Sequence, residues 1–527
     1  MKTWSAVFAA VFGMLLARNR FLFWTPIHEL GDSGANSIIV NQAKHFSLLV
    51  GNYSRQGFNH PGPGYFYLQA SGEWLLHDVL ALVPTPWNGQ LISLFAFNSA
   101  VLATVTVIVR RRLGSWRAAG AALLAIVLML AYQPQIINDA WMPLVYVPTF
   151  LLLLFATAAV VAGGPGELWA VALACGLLIH GHAVFLLFAP ALGVTAIVAT
   201  LLRHRGLRLR LPRRGQGFLE RVDASPVPVR TWLPAAGILI AFLVPILVHT
   251  LVNWPGEFGK YVAYGISERA GSHALLASLS YVYQYWWPVR TGWLALLGIP
   301  LIAGVCYCAA RIREPFIRAG LWLCMLVSAL LVYYAYAGID SVNDPYMGYF
   351  YWAVPLFLVS CLTAWLALRW VPRMPRALPL AGVVTVMALV PGFRTIAHDD
   401  QPRVPAALEA LSRHAGGKPI VVELAGDDIG MDLPGLANSA RRKGIRVCLR
   451  DARWAFLATA EFICTPSEIA NGMRVTRWKV QATDSPQPGE LTRIGNSAFT
   501  ADVDLGQARP CDRLHPEGRA DSRNHPT

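Results

Sequence analysis

Apolar residues fall along this chain in long blocks rather than in alternation. Runs at 3–24, 89–109, 117–133, 142–162, 167–183, 184–202, 231–252, 291–310, 319–337, 351–369 and 377–393 are strongly apolar. Each approaches the roughly 20 residues that an α-helix needs to cross a bilayer. A segment in lipid must satisfy its own backbone polar groups, so helices are expected rather than open strands. The pattern predicts an all-α polytopic membrane protein with eleven spans, although the pair 167–183 and 184–202 is open to another division. The first run is read to Trp24, which puts Arg18 and Arg20 near its outer end, either snorkelling to the headgroups or facing a polar cavity. Cut to 3–17, it resembles a signal-peptide core behind Lys2, but no small-residue cleavage site follows cleanly.

The loops set an orientation. Arg110, Arg111, Arg112 and Arg117 share one connection, eight arginines lie between 203 and 230, and Arg311, Arg313, Arg318 and then Arg369, Arg373 and Arg376 follow. With eleven spans these loops share one side, which the positive-inside rule makes the cytoplasm. The N-terminus is then inside, and the first outer loop (25–88), the loops 134–141, 253–290 and 338–350, and the tail from 394 are outside. That tail is polar and patterned differently. A helix-like run 406–414, strand candidates at 416–424, 445–450, 462–465 and 474–481, and a helix near 433–443 predict a small α/β domain over 394–510, extracytoplasmic and so periplasmic in a bacterial inner membrane. Residues 511–527 read as a disordered tail. Cys448 and Cys464 either pair in an oxidising compartment or stay two buried thiols.

Composition sharpens this. Hydrophobic residues make up 55% of the 527 and charged residues only 14%, well below a soluble domain. The net charge of +14 would suggest nucleic acid in a soluble protein, but the cytoplasmic loops account for it and no nucleic-acid partner is expected. Walker, dinucleotide-binding, zinc-protease and nucleophile-elbow motifs are absent from the sequence, and the cysteines have no zinc spacing.

Candidate chemistry concentrates in 25–88. HELGDSG (28–34) precedes ANSIIVNQAKHFSLLV (35–50), read as an amphipathic helix lying on the membrane surface. His60-Pro61-Gly62-Pro63-Gly64 follows as a rigid turn before interface aromatics. This order, an acid beyond the first span, a surface helix and a His-Pro turn, resembles the GT-C superfamily of membrane glycosyltransferases. The similar branch holds protein O-mannosyltransferases, the lipid A aminoarabinose transferase and arabinofuranosyltransferases. The resemblance implies a sugar donor on polyprenyl phosphate, and a glycan, lipid or protein acceptor at the outer face of the cell envelope. Asp32 matches the acidic position, His60-Pro61-Gly62-Pro63 a variant of the His-Pro motif, and Asp139 a second outer acid. Asp32 departs from the usual pattern in being followed by Ser33 rather than Glu.

Transfer needs a base for the acceptor hydroxyl and a cation for the leaving phosphate. Asp32 serves as general base in an inverting hexosyl or pentosyl transfer, or else caps the helix that follows. His60 donates to phosphate or to Asp32, or only shapes its turn. Asp139 is a second site carboxylate or metal ligand, or a loop acid; a divalent metal is an open question. Phosphate contacts are sought among Arg290, Arg55, Lys44, Lys260, Arg18 and Arg20, and acceptor contacts at Asp340 and Asp344. His180 and His182 stand two apart, which is not a helical metal spacing. A transporter or flippase for a polyprenyl-linked substrate, or a binding protein, would share the basic and aromatic surface.

Overall fold

Helices form where the apolar blocks predict them in the computed structural model. It describes residues 2–209, 219–221, 226–267, 272–287, 289, 292–371, 375, 377–395, 403–426, 429–430, 432–481 and 483–501. Arg210, Arg213, Arg214, Arg290, Arg373, Arg376 and the tail 511–527 lie outside them. The chain divides into two units. One comprises Met1–Ile27 and Asn36–His398; the other comprises His28–Ala35 and Asp399–Thr527.

The first unit is helical. In order it holds α1 (Lys2–Arg18), α2 (Gly31–Lys44, whose first turn belongs to the second unit), α3 (Gly64–Glu73), α4 (Pro86–Leu113), α5 (Trp116–Leu130) and α6 (Gln135–Asn138). Then come α7 (Met142–Val161), α8 (Leu168–Gly181), α9 (Phe185–His204), the hairpin β1 (Leu207–Leu209) with β2 (Leu219–Arg221), α10 (Val229–Val252), α11 (Gly256–Ser267) and α12 (Leu275–Tyr283). α13 (Gly298–Arg311), α14 (Pro315–Ala337), α15 (Ala353–Trp370) and α16 (Ala377–Leu389) complete it. Among the described residues, seven helical segments are long and apolar enough to cross a membrane: Pro86–Leu113, Met142–Val161, Phe185–His204, Val229–Val252, Trp293–Arg311, Pro315–Ala337 and Pro345–Trp370. Three more apolar helices are shorter, Trp116–Leu130, Pro165–Gly181 and Ala377–Leu389, and α1 has 17 residues. So each apolar run contains a helix, while seven is the number that length and composition support.

Packing explains which helices face out. α7 is buried along nearly its whole length, and Phe150, Phe185, Phe188 and Phe350 meet around it with ring centroids 4.9–6.1 Å apart. α10 instead leaves Leu243, Leu247 and Leu251 exposed, an apolar face suited to lipid. Backbones approach where side chains vanish: a Cβ on Gly72 of α3 would lie 2.5 Å from the Gly89 carbonyl oxygen of α4.

Two predicted elements of this unit differ. The first helix stops at Arg18 instead of running to Trp24, because the buried Asn19 amide donates back to the Leu15 carbonyl (2.8 Å) and across to that of Phe393 (3.0 Å). The predicted surface helix 35–50 begins earlier, at Gly31, and ends at Lys44. Asn36 and Ser37 on its polar side are buried, and Ser37 donates to Gln90 (3.2 Å). Phe46, which falls within the predicted helix, stands 83% exposed at a left-handed φ of 56°.

The second unit is a small α/β domain: α17 (Arg403–Ala415), β3 (Ile420–Leu424), α18 (Leu433–Arg442), β4 (Val447–Leu449), α19 (Ala455–Ala458), α20 (Pro466–Asn471), β5 (Met473–Lys479), β6 (Glu490–Ile494) and β7 (Ser497–Ala501). Its sheet runs β4-β3-β5-β7-β6, parallel across the first three strands and antiparallel across the rest. The strand expected at 462–465 is a single bridge between Ile463 and Leu449. Its residues are taken instead by a short turn and by Thr465, which caps α20 in a capping box with Glu468.

Cys448 and Cys464 form a disulfide that closes a loop of sequence separation 16. Loop-closure entropy puts about 3 kcal/mol on such a bridge. Replacing both cysteines by Ala in the whole protein is expected to lower the unfolding free energy of this unit by that amount, read as a lower denaturant midpoint for 403–501. A midpoint indifferent both to this change and to reductant would refute the assignment.

Glu468 adds a pH-dependent term. Hydrogen bonds from Arg446, then the Thr465 amide and hydroxyl, work against partial burial and pull its pKa from 4.5 to about 2. A depressed carboxylate stabilises fully above its unfolded value and loses that contribution as pH falls. Acid titration between about 4.5 and 2 is therefore expected to weaken this unit more in wild type than in Glu468→Gln. Parallel stability curves for the two proteins would count against it.

Candidate active site

Asp32 lies in the first turn of α2, where a carboxylate complements the positive end of the helix dipole. The segment carrying it is built into the second unit. Glu29, 1% exposed, accepts hydrogen bonds from Asn438 Nδ2 (2.6 Å) and Arg442 (Nη2 2.7 Å, Nη1 3.2 Å), both on α18. His28 Nδ1 lies 3.3 Å from the Ser439 hydroxyl. Burial first, then Arg442 and Lys443, hold its imidazole below its ordinary pKa, against the pull of Glu29. A Cβ on Gly435 would sit 2.0 Å from the Glu29 carbonyl oxygen, and one on Gly34 2.7 Å from the Gly435 nitrogen. Only glycine permits this approach, so α18 grips the turn before Asp32 through backbone contact and a bidentate ion pair.

The other predicted residues lie in the first unit. His60 is buried; its Nδ1 accepts from the Ala183 amide (3.3 Å) and its ring lies 3.9 Å from that of His182. Burial first, then His182, drives its pKa well below the ordinary value, so it stays neutral at physiological pH. The rest of the His-Pro turn docks at the same place. Gly62 N–H donates to the His180 carbonyl (3.3 Å) and Gly64 N–H to His180 Nδ1 (3.1 Å). The turn thus locks the break between α8 and α9, with Asn59 tied to Glu257 (2.6 Å) behind it.

Asp139 follows α6, and its carboxylate accepts from the Trp141 amide (3.0 Å), turning the chain into α7. Lys44 is engaged by Glu73 (2.7 Å) and Asp78 (2.8 Å), and Lys260 by Glu257 (2.8 Å). Burial disfavours the Lys44 ammonium, yet its Asp78 and Glu73 hydrogen bonds outweigh this and raise its pKa. A cation so paired is poorly placed to meet a phosphate. Arg55 is exposed in a turn. Asp340 accepts from the Tyr264 hydroxyl, and Gln56 Nε2 lies 3.4 Å away; Asp344 precedes the turn that leads to α15. Arg290 falls outside the described residues. Arg18 and Arg20 border a cavity of about 440 Å³ together with Arg394, which sequence reasoning missed.

Among the described residues, no three His, Cys, Asp or Glu side chains are grouped to hold a metal ion.

Neither family models nor curated proteins yield a match to this chain. Among solved structures, the chain is similar to the oligosaccharyltransferase of Archaeoglobus fulgidus, crystallised with zinc and sulfate. The TM-score is 0.43 and the identity 12%, over 89% of this chain and 67% of that one. At that level activity and substrate must be argued from this chain's own residues.

Proposed function

We propose that the protein is a membrane glycosyltransferase that moves a sugar from a polyprenyl-phosphate donor to an extracytoplasmic acceptor, with Asp32 as general base. The observation that carries this reading is the fixation of Asp32. A lone acid on a loop would need no support, whereas this one follows a segment fastened by a buried ion pair and two glycine contacts. Such support is what a preorganised carboxylate requires.

In the reaction Asp32 takes the acceptor hydroxyl proton as the oxygen attacks the anomeric carbon. The bond from that carbon to the phosphate oxygen breaks, polyprenyl phosphate leaves with the electron pair, and the configuration inverts. His60 and Asp139 have framework roles in this scheme, setting the α8–α9 break and the entry to α7. The disulfide suits an oxidising compartment, and together with the arginine loops it supports reading the second unit as extracytoplasmic. The test is transfer of radiolabelled sugar from polyprenyl-phosphate donors in membranes containing the protein. A product absent for wild type with every donor, while the protein is folded, rejects the proposal.

A further inference from the structure

α1 ends in arginines that its own helix does not explain. The negative end of a helix dipole accounts for one cation in the last turn. Arg18 fills that role, and its Nη2 also reaches the Val390 and Pro391 carbonyls at 3.3 and 3.4 Å. Two more guanidinium groups converge on the same place. Arg20 opens the short turn Arg20–Phe23, and Arg394 follows the turn Pro391–Phe393. Asn19 ties the two segments together: it donates to the Phe393 carbonyl and accepts from the Thr395 amide (2.6 Å).

The result is the open cavity of about 440 Å³ lined by Ala17, Arg18, Arg20, Phe21, Trp24 and Arg394. No carboxylate lines it among the described residues. Arg18 Nε is buried there with no hydrogen-bond partner among them. Arg394 rests its guanidinium over the Phe21 ring, 4.7 Å from the centroid, and among the described residues no acceptor engages its N–H groups. Like charges gathered without counter-charge cost free energy unless an anion joins them. Arginine forks match the geometry of phosphate oxygens. Phe23 and Trp24 beside the pocket are 37% and 60% exposed, an apolar edge at the end of an apolar helix, the level where aromatic residues meet the bilayer interface.

We infer that Arg18, Arg20 and Arg394 form a binding site for the phosphate headgroup of a membrane lipid, whose chain leaves past Phe23 and Trp24. The site stands independently of Asp32 and of sugar transfer.

The experiment uses the delipidated full-length protein in neutral detergent. Radiolabelled phosphatidic acid is the probe, and phosphatidylcholine, polyprenyl phosphate and inorganic phosphate are competitors. Saturable binding is expected, displaced by polyprenyl phosphate and not by phosphatidylcholine, with inorganic phosphate far weaker because it lacks the chain. Arg20→Ala with Arg394→Ala is expected to weaken binding roughly 10- to 100-fold. Arg20→Lys with Arg394→Lys should recover part of it, and Arg413→Ala, an exposed arginine of α17, should show none of the loss. Arg18 is left intact because of its backbone contacts. Unchanged affinity in the double alanine protein, with the thermal transition preserved, overturns the site. Equal displacement by inorganic phosphate overturns the lipid assignment, and equal displacement by phosphatidylcholine overturns the headgroup. If the double alanine protein fails to fold, the lysine pair decides: weaker binding of phosphatidic acid than wild type is expected, because lysine lacks the guanidinium fork, and affinity equal to wild type overturns the site.

Discussion

Asp32→Asn is expected to cut sugar transfer by about 10²- to 10⁴-fold, the usual worth of a positioned general base. The change is nearly isosteric and keeps a polar group in the first turn of α2. What it removes is the capacity to take a proton from the acceptor hydroxyl. The stability cost is small, because a first-turn carboxylate contributes only about 0.3–1 kcal/mol through the helix dipole. Donor binding should persist, so the loss should appear in kcat with KM for the donor little changed. Asp139→Asn is the comparison. That carboxylate accepts from the Trp141 amide, and an Asn oxygen can accept the same bond, so a much smaller loss is expected. Transfer by Asp32→Asn at the wild-type rate, at matched expression, would remove the base from the mechanism.

Features set by local sequence were legible in advance. Apolar runs of spanning length become helices because length and hydrophobicity alone decide their environment. The α/β character of the tail was visible in IVVEL (420–424) and in MRVTRWK (473–479). The β6–β7 hairpin escaped notice, although Gly495-Asn496 between two short β-forming stretches is a hairpin signal. Features set by distant partners were not legible. Asn19 ends α1 by reaching Phe393, 374 residues away. Nothing in the sequence around Lys44, a candidate phosphate contact, shows that Glu73 and Asp78 engage it. Arg394 joins Arg18 and Arg20 only because the chain folds back from its far end. Periodicity reports burial and exposure along one element; it carries no record of which buried charge meets which.

The clamp before Asp32 belongs to that second class, and it makes the other large prediction. Glu29→Ala is expected to destabilise the second unit by about 3 kcal/mol, the lower end for breaking a buried ion pair. Glu29 is 1% exposed while the Arg442 side chain is 22% exposed, so the orphaned guanidinium retains a route to water. The Asn438 amide has no such route, because Asn438 is fully buried and its Nδ2 loses its acceptor. The effect should be read in the whole protein as lost hydrogen-exchange protection across 433–442. Arg442→Ala leaves the opposite charge buried and should cost at least as much. A pair exchange, Glu29→Leu with Arg442→Met, removes both charges and should recover much of the stability. Costs that merely add in the double variant would show that the two side chains do not act together. The same set separates clamp from chemistry. The apolar pair restores folding without the bidentate geometry that fixes the turn three residues before Asp32, so its kcat should stay below wild type even where its stability does not.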